Sequence, residues 1–183
     1  MSCDTAPALP SEHCLLNDLV GIMRQGLDLI STLSPEEYTG SHPHIKTSSI
    51  GAHYRHHLEH VQLLLDGAHD LVDYDRRKRD PEIQTSLSVA RRRTQQLIER
   101  LEDISPEKLE HRVAVVHQSC DDADQRPVCH STFEREVLFV LSHAVHHYAL
   151  INVIHQLVTD RPCHAGFGVM PSTLSYERSQ GRT

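Results

Sequence analysis

The stretch Leu141-Ser-His-Ala-Val-His-His-Tyr148 decides how this chain is read. Apolar residues recur around it at helical spacing, through Val140, Ala144, Ile151 and Ile154. A helix turns residues four apart onto one face. His143 and His147 therefore point the same way, one turn apart, and two imidazoles so placed can share one metal ion. A second cluster lies about ninety residues earlier, in Ser49-Ile-Gly-Ala-His-Tyr-Arg-His-His-Leu-Glu-His60. It also sits in a helical pattern, with Ile50, Tyr54, Val61, Leu64 and Leu65 as its apolar stripe. One imidazole from this helix added to the first pair makes a three-histidine site with an open position, the arrangement used for catalysis rather than for structure.

Histidine is abundant here, with 16 in 183 residues. Random scatter gives about 1.4 pairs at i,i+4, and the chain has three such pairs, 53/57, 56/60 and 143/147. The stronger signal is concentration, because His53, His56, His57, His60, His143, His146 and His147 fill two short apolar windows. Spacing leaves open which histidine of the earlier helix faces inward. Helix phase favours His57 or His53, with His56 at the edge of the stripe. It also leaves standing a plainer reading, in which the rings only hydrogen-bond within a polar core.

Working outward, Ser11 caps a helical pattern that runs to Leu33, and Ser34-Pro35 ends it. Residues 35–46 read as a loop. Ser48 or Ser49 caps the second helix, which extends to Ala68. Residues 70–80 read as an irregular connector. Asp80-Pro81-Glu82 starts a third helix that stops before Ser105-Pro106. Residues 111–117 and 127–132 are the only strand-like text and predict a small hairpin. Ser131 or Thr132 caps the fourth helix, which reaches Val158. The expectation is an all-α fold, a four-helix bundle forming one domain over residues 1–183. Its core spans 11–158, and an irregular apolar tail, 159–183, packs back on it.

The net charge of −7 and the absence of a basic stripe speak against nucleic acid. The only basic runs are Arg76-Arg-Lys-Arg79, flanked by Asp75 and Asp80, and Arg91-Arg-Arg93, of which the second lies on a helical pattern and reads as a solvated face. No continuous apolar run reaches the roughly 18–20 residues of a membrane span, and the N-terminus lacks the regions of a signal peptide. Five cysteines, Cys3, Cys14, Cys120, Cys129 and Cys163, form no CxxC. They fit a reducing cytoplasm. The HExxH signature of zinc proteases is absent, as are GxGxxG and phosphate-loop motifs. Cys129-His130 lacks the glycine loop of a nucleophile site. Glu59 reads as one half of a surface salt bridge, with a metal ligand or a base beside the metal as the alternatives, and Glu134 and Glu136 read as first-turn helix charges. No side chain outside the histidines stands out as a catalytic acid or base.

The two histidine segments together resemble the DinB/YfiT-like metal-binding superfamily over roughly residues 11–158. The resemblance implies a bundle of up-down-down-up type and a divalent metal, zinc or nickel. It implies that the metal is held by His143 and His147 and by one histidine of the second helix. Alignment from Ser49-Ile-Gly puts that ligand at His56, with His57 and His60 as alternates. It further implies a metal-dependent small-molecule enzyme of the thiol S-transferase or isomerase kind, acting on a low-molecular-weight thiol. Tyr54 and Tyr148 are expected to line such a site or to belong to the core. The rival expectation is a non-catalytic helical protein that binds metal for stability or sensing, as a homodimer in one version, with His60 or Glu59 closing the site.

Overall fold

The computed structural model describes residues 14–43, 45, 48–68, 70–118 and 126–181. Among these it holds seven α-helices and a three-stranded mixed sheet. The all-α expectation is therefore corrected to a mixed α/β fold.

The helices are α1 (Cys14–Ser31), α2 (Pro35–Thr39), α3 (Ile50–Asp66), α4 (Pro81–Thr85), α5 (Leu87–Glu102), α6 (Phe133–Thr159) and α7 (Pro171–Ser179). Their starts follow from short polar side chains that satisfy first-turn N–H groups. Ser49 accepts from Ala52 N at 3.1 Å, and Thr132 accepts from Arg135 N at 3.2 Å. Ser34 and Glu37 form a reciprocal capping box, which makes residues 35–39 a short helix where a loop is expected from the sequence. The expected third helix is two helices. Ser86 adopts extended backbone, ends α4 and accepts from the Val89 N–H to begin α5. The expected cap at Ser11 lies outside the described residues.

The strands are β1 (Leu71–Asp73), β2 (Arg112–Val116) and β3 (Val128–Thr132), in that order across the sheet. β2 and β3 pair antiparallel, from Arg112↔Thr132 to Val116↔Val128. β1 adds parallel to β2, Leu71↔Ala114 to Asp73↔Val116. This parallel pair explains why the connector at 70–80 gives no strand signal. Three residues are too few to show a period of two, and the partner lies some forty residues away.

The helix directions follow from their side-chain pairs. Arg24 meets Glu102 and Arg91 reaches the Ile30 carbonyl, so α1 and α5 are antiparallel. Tyr54 meets Thr94 and Asp66 meets Arg100, so α3 and α5 run the same way. His53 meets His147 while His60 meets His143, so α3 and α6 are antiparallel. The core fills with Leu19, Met23, Ile30, Tyr54, Leu97, Phe133 and Tyr148, all essentially inaccessible. Tyr148 sets the spacing of α6 and α1: a Cβ on Gly26 would stand 1.9 Å from its hydroxyl, so only glycine fits there.

An 18-residue window of α6 has mean hydropathy 1.6, which by length and composition would span a membrane, although charged and histidine residues interrupt its apolar runs. Half of that window is buried inside the fold, against α1 and α3. The tail returns to this helix. Phe167 is buried and stacks on Tyr148 with ring centroids 4.9 Å apart. Gly168 follows at φ +72°, where a Cβ would come within 2.5 Å of the Ala149 nitrogen. The tail is not wholly irregular, since α7 follows Pro171.

Candidate metal centre

The antiparallel contact of α3 and α6 brings the two histidine clusters face to face. Ring centroids of His56 and His60 are 4.5 Å apart, those of His60 and His143 4.1 Å, and those of His143 and His147 4.6 Å. His56 lies 4.5 Å from His147 and 5.1 Å from His143. Four rings from two helices thus form one contiguous group. Among them, one nitrogen each from His56, His60 and His143 lie within 4.8 Å of one another.

Local bonding fixes what some of these nitrogens can do. The His60 Nδ1 lies 2.8 Å from the His56 carbonyl oxygen, which can only accept, so Nδ1 carries the proton. A neutral His60 then presents a bare Nε2, and an outer hydrogen bond of this kind is how metal-ligating imidazoles are oriented. The His143 Nε2 is buried with no hydrogen-bond partner. A buried polar atom without a partner is costly unless something else engages it. His147 sits differently, with its Nδ1 2.9 Å from the Nδ1 of His53.

Burial is the main cause that keeps these imidazoles neutral, opposed at His60 by its bond to the His56 carbonyl. The pKa of His56 falls to about 4, with Arg77 adding to the effect of burial. That of His143 falls to about 4 and that of His60 to about 3. That of His147 falls to about 2, burial again leading and His143 next. At neutral pH every one offers a lone pair, which is what a metal requires. A tetrahedral zinc ion with bonds of about 2.0–2.1 Å sets its ligands roughly 3.3 Å apart. The observed separations are within a side-chain adjustment of that value. The donor set, all imidazole, suits zinc, nickel or copper and not a hard cation such as calcium.

Around the cluster the sheet supplies a wall. Tyr74, just after β1, stacks on His60 at 5.5 Å and 19° and packs on Phe139. Its hydroxyl donates to the Glu136 Oε2 at 2.9 Å, and the Ser131 hydroxyl donates to Oε1 at 2.7 Å. Arg77, four residues past β1, extends Nη1 to 3.4 Å from both the His56 Nδ1 and the His60 Nε2.

Other sequence candidates lie elsewhere. His57 is the most deeply buried of the second-helix histidines, as helix phase suggested. Yet its ring sits between Tyr54 and Tyr148 at 4.8 and 4.9 Å, inside the core. Both its nitrogens lack partners, and burial holds its pKa well below the usual value. Tyr54 and Tyr148 are themselves fully buried core residues. His146 is exposed. The Glu59 Oε1 accepts from the Asp80 backbone at 2.8 Å, anchoring the entry to α4. Cys129 and Cys163 are free thiols, the first of them exposed.

Sequence reasoning missed Arg77, Tyr74 and the buried role of Glu136. Within the basic run at 76–79, Arg76, Lys78 and Arg79 are exposed and Arg77 alone is half-buried. Comparison with protein-family models, with curated proteins and with solved structures finds no match to this chain.

Proposed function

We propose that this chain is a divalent-metal-dependent enzyme acting on a small thiol, of the S-transferase or isomerase kind, with zinc or nickel as the metal. One observation carries it: three neutral imidazoles converge from two helices with a nitrogen each in reach of one ion, and one of the rings, His143, keeps a buried nitrogen without a partner. The resemblance of the two histidine segments to DinB/YfiT-like proteins guides the choice of thiol chemistry. A metal in such a site acidifies a bound thiol or water and polarises a carbonyl.

In this reading His56, His60 and His143 hold the metal. His60 is oriented by its own helix through the His56 carbonyl. Tyr74 presses the His60 ring from behind and is itself held by Glu136. His147, tied to His53, supports the group from the side away from His60. Arg77 faces the same nitrogens from the loop after β1 and favours negative charge beside them. Three neutral protein ligands leave the metal's charge unbalanced, which favours an anionic fourth ligand such as a thiolate.

A second reading has its own observation. The rings of His56, His143 and His147 lie within 5.1 Å of one another, so His147 is close enough to join the set. Four histidine ligands would close the site and favour a non-catalytic, structural or sensing role. Titrating the cobalt-loaded protein with 2-mercaptoethanol separates the two. A new near-ultraviolet thiolate band supports the enzyme reading. One bound cobalt with no spectral response to thiol supports the closed site.

A further inference from the structure

Arg77 is out of place for a metal site. Its guanidinium nitrogen approaches two of the nitrogens that would ligate the ion, at 3.4 Å each. Among the described residues it makes no ion pair with a carboxylate, whereas neighbouring Arg76 and Arg126 both pair with Asp73. Its environment does not favour the charge either: burial and Arg79 weigh against it, and the carboxylates of Glu59 and Asp75 attract it from nearby without pairing with it. A dication and a guanidinium within a few ångströms repel unless an anion lies between them. Guanidinium offers a planar fork of donors that matches a carboxylate.

There is room for such a group. A cavity of about 170 Å³ opens beside α3, with Arg77 on its wall together with Leu58, Leu63, Lys78 and Ile83. Its carboxylates are engaged elsewhere: Asp66 with Arg100 and Gln62, Asp80 with the first turn of α4, and Glu59 through Oε1 with the Asp80 backbone. Glu59 keeps Oε2 buried and unpartnered, so the cavity offers one acceptor as well as the cations.

We infer that Arg77 is a specificity-determining residue that selects an anionic ligand for the open position, a small thiol bearing a carboxylate. The thiol sulfur faces the histidines, and the carboxylate lies on the guanidinium, toward the cavity. This rests on the metal reading above and deepens it. It assigns to the half-buried member of a basic run a task that its exposed neighbours do not share.

The test uses the full chain loaded with cobalt(II) and followed by visible absorption, in wild type, Arg77→Gln and Arg77→Lys. Three probes are titrated: azide, mercaptoacetate and 2-mercaptoethanol. All three proteins should bind one cobalt. Azide should bind the Arg77→Gln protein at least about tenfold more weakly than wild type. Mercaptoacetate should outcompete 2-mercaptoethanol by a similar factor in wild type and lose that advantage in Arg77→Gln. Arg77→Lys, which keeps the charge and loses the fork, should fall between. Equal azide affinity in wild type and Arg77→Gln overturns the inference, as does an undiminished preference for mercaptoacetate. If azide binding depends on Arg77 while neither thiol gives a thiolate band, the anion role stands and the thiol reading fails. If no cobalt binds to wild type, the metal reading fails and this inference falls with it.

Discussion

His60 donates its Nδ1 proton to the carbonyl oxygen of His56, one turn earlier on the same helix, at 2.8 Å. This bond leaves Nε2 as the lone-pair donor of His60 and aims it at the gap between α3 and α6. It is the reason to rank His60, and not His147, as the third ligand beside His56 and His143.

The ranking has a direct consequence for metal uptake. His56→Ala, His60→Ala and His143→Ala should each abolish stoichiometric binding, measured by elemental analysis after gel filtration. His147→Ala should retain one metal with affinity weakened about 10–100-fold, the effect expected of a supporting group. The exposed His146→Ala should match wild type. Abolition by His147→Ala with retention by His60→Ala would move the third ligand from α3 to α6, one turn beyond His143.

Glu136 is a buried carboxylate with two donors, Tyr74 and Ser131. Replacing it by alanine strands both hydroxyls and releases the Tyr74 ring from His60. Glu136→Ala should cost about 1–3 kcal/mol in urea unfolding and weaken metal binding as well. Glu136→Gln should recover most of the stability. A neutral outcome for Glu136→Ala would mean that water replaces the carboxylate without loss.

The depressed imidazole pKa values set the pH dependence of the metal-free protein. The folded values near 2–4 lie below the unfolded value of about 6.5. The unfolded chain therefore binds protons first as pH falls. Stability is fully present above about pH 6.5 and declines from there toward pH 4, by up to about 1.4 kcal/mol per pH unit for each such group. Thermal unfolding in the presence of a chelator should show Tm falling between pH 7 and pH 5. A flat profile over that range would mean that the rings are solvated in the folded state.

Gly168 combines a positive φ with contact against the α6 backbone, so Gly168→Ala is strained in two ways. The substitution should cost at least about 2 kcal/mol and lift Phe167 from Tyr148. Cys163 reports on this, because it is packed against the core and burial raises its thiol pKa to about 11. Alkylation at pH 8, resolved by peptide mass, should be slow at Cys163 in wild type and fast in Gly168→Ala. Equal rates would show that the tail is not held by this contact.

How far the sequence speaks is clearest at particular residues. Caps at Ser49, Asp80 and Thr132 are legible because a short polar side chain before an apolar periodic run has one local meaning. The antiparallel β2–β3 pair is legible because its two strand-like runs are neighbours in the sequence. The parallel strand β1 is not, since its identity depends on a partner far along the chain and its three residues carry no period. The expected all-α class fails at that point. At the site, the histidine spacing shows which helices meet but not which ring turns where. His57 has the better helix phase and lies in the tyrosine core, while the boundary residue His56 reaches the cluster. Arg77 and Tyr74 could not be found from the sequence, because both owe their positions to β1.

The antiparallel seam between α3 and α6 joins residues as far as 94 positions apart in the chain. Contacts of such range carry the loop-closure entropy of everything between them. The nitrogens of either helix alone offer at most part of the ligand set, so the complete site exists only where α3 packs on α6. Any choice between ions would thus belong to the finished topology, because the spacing that could discriminate between them exists only at the native seam.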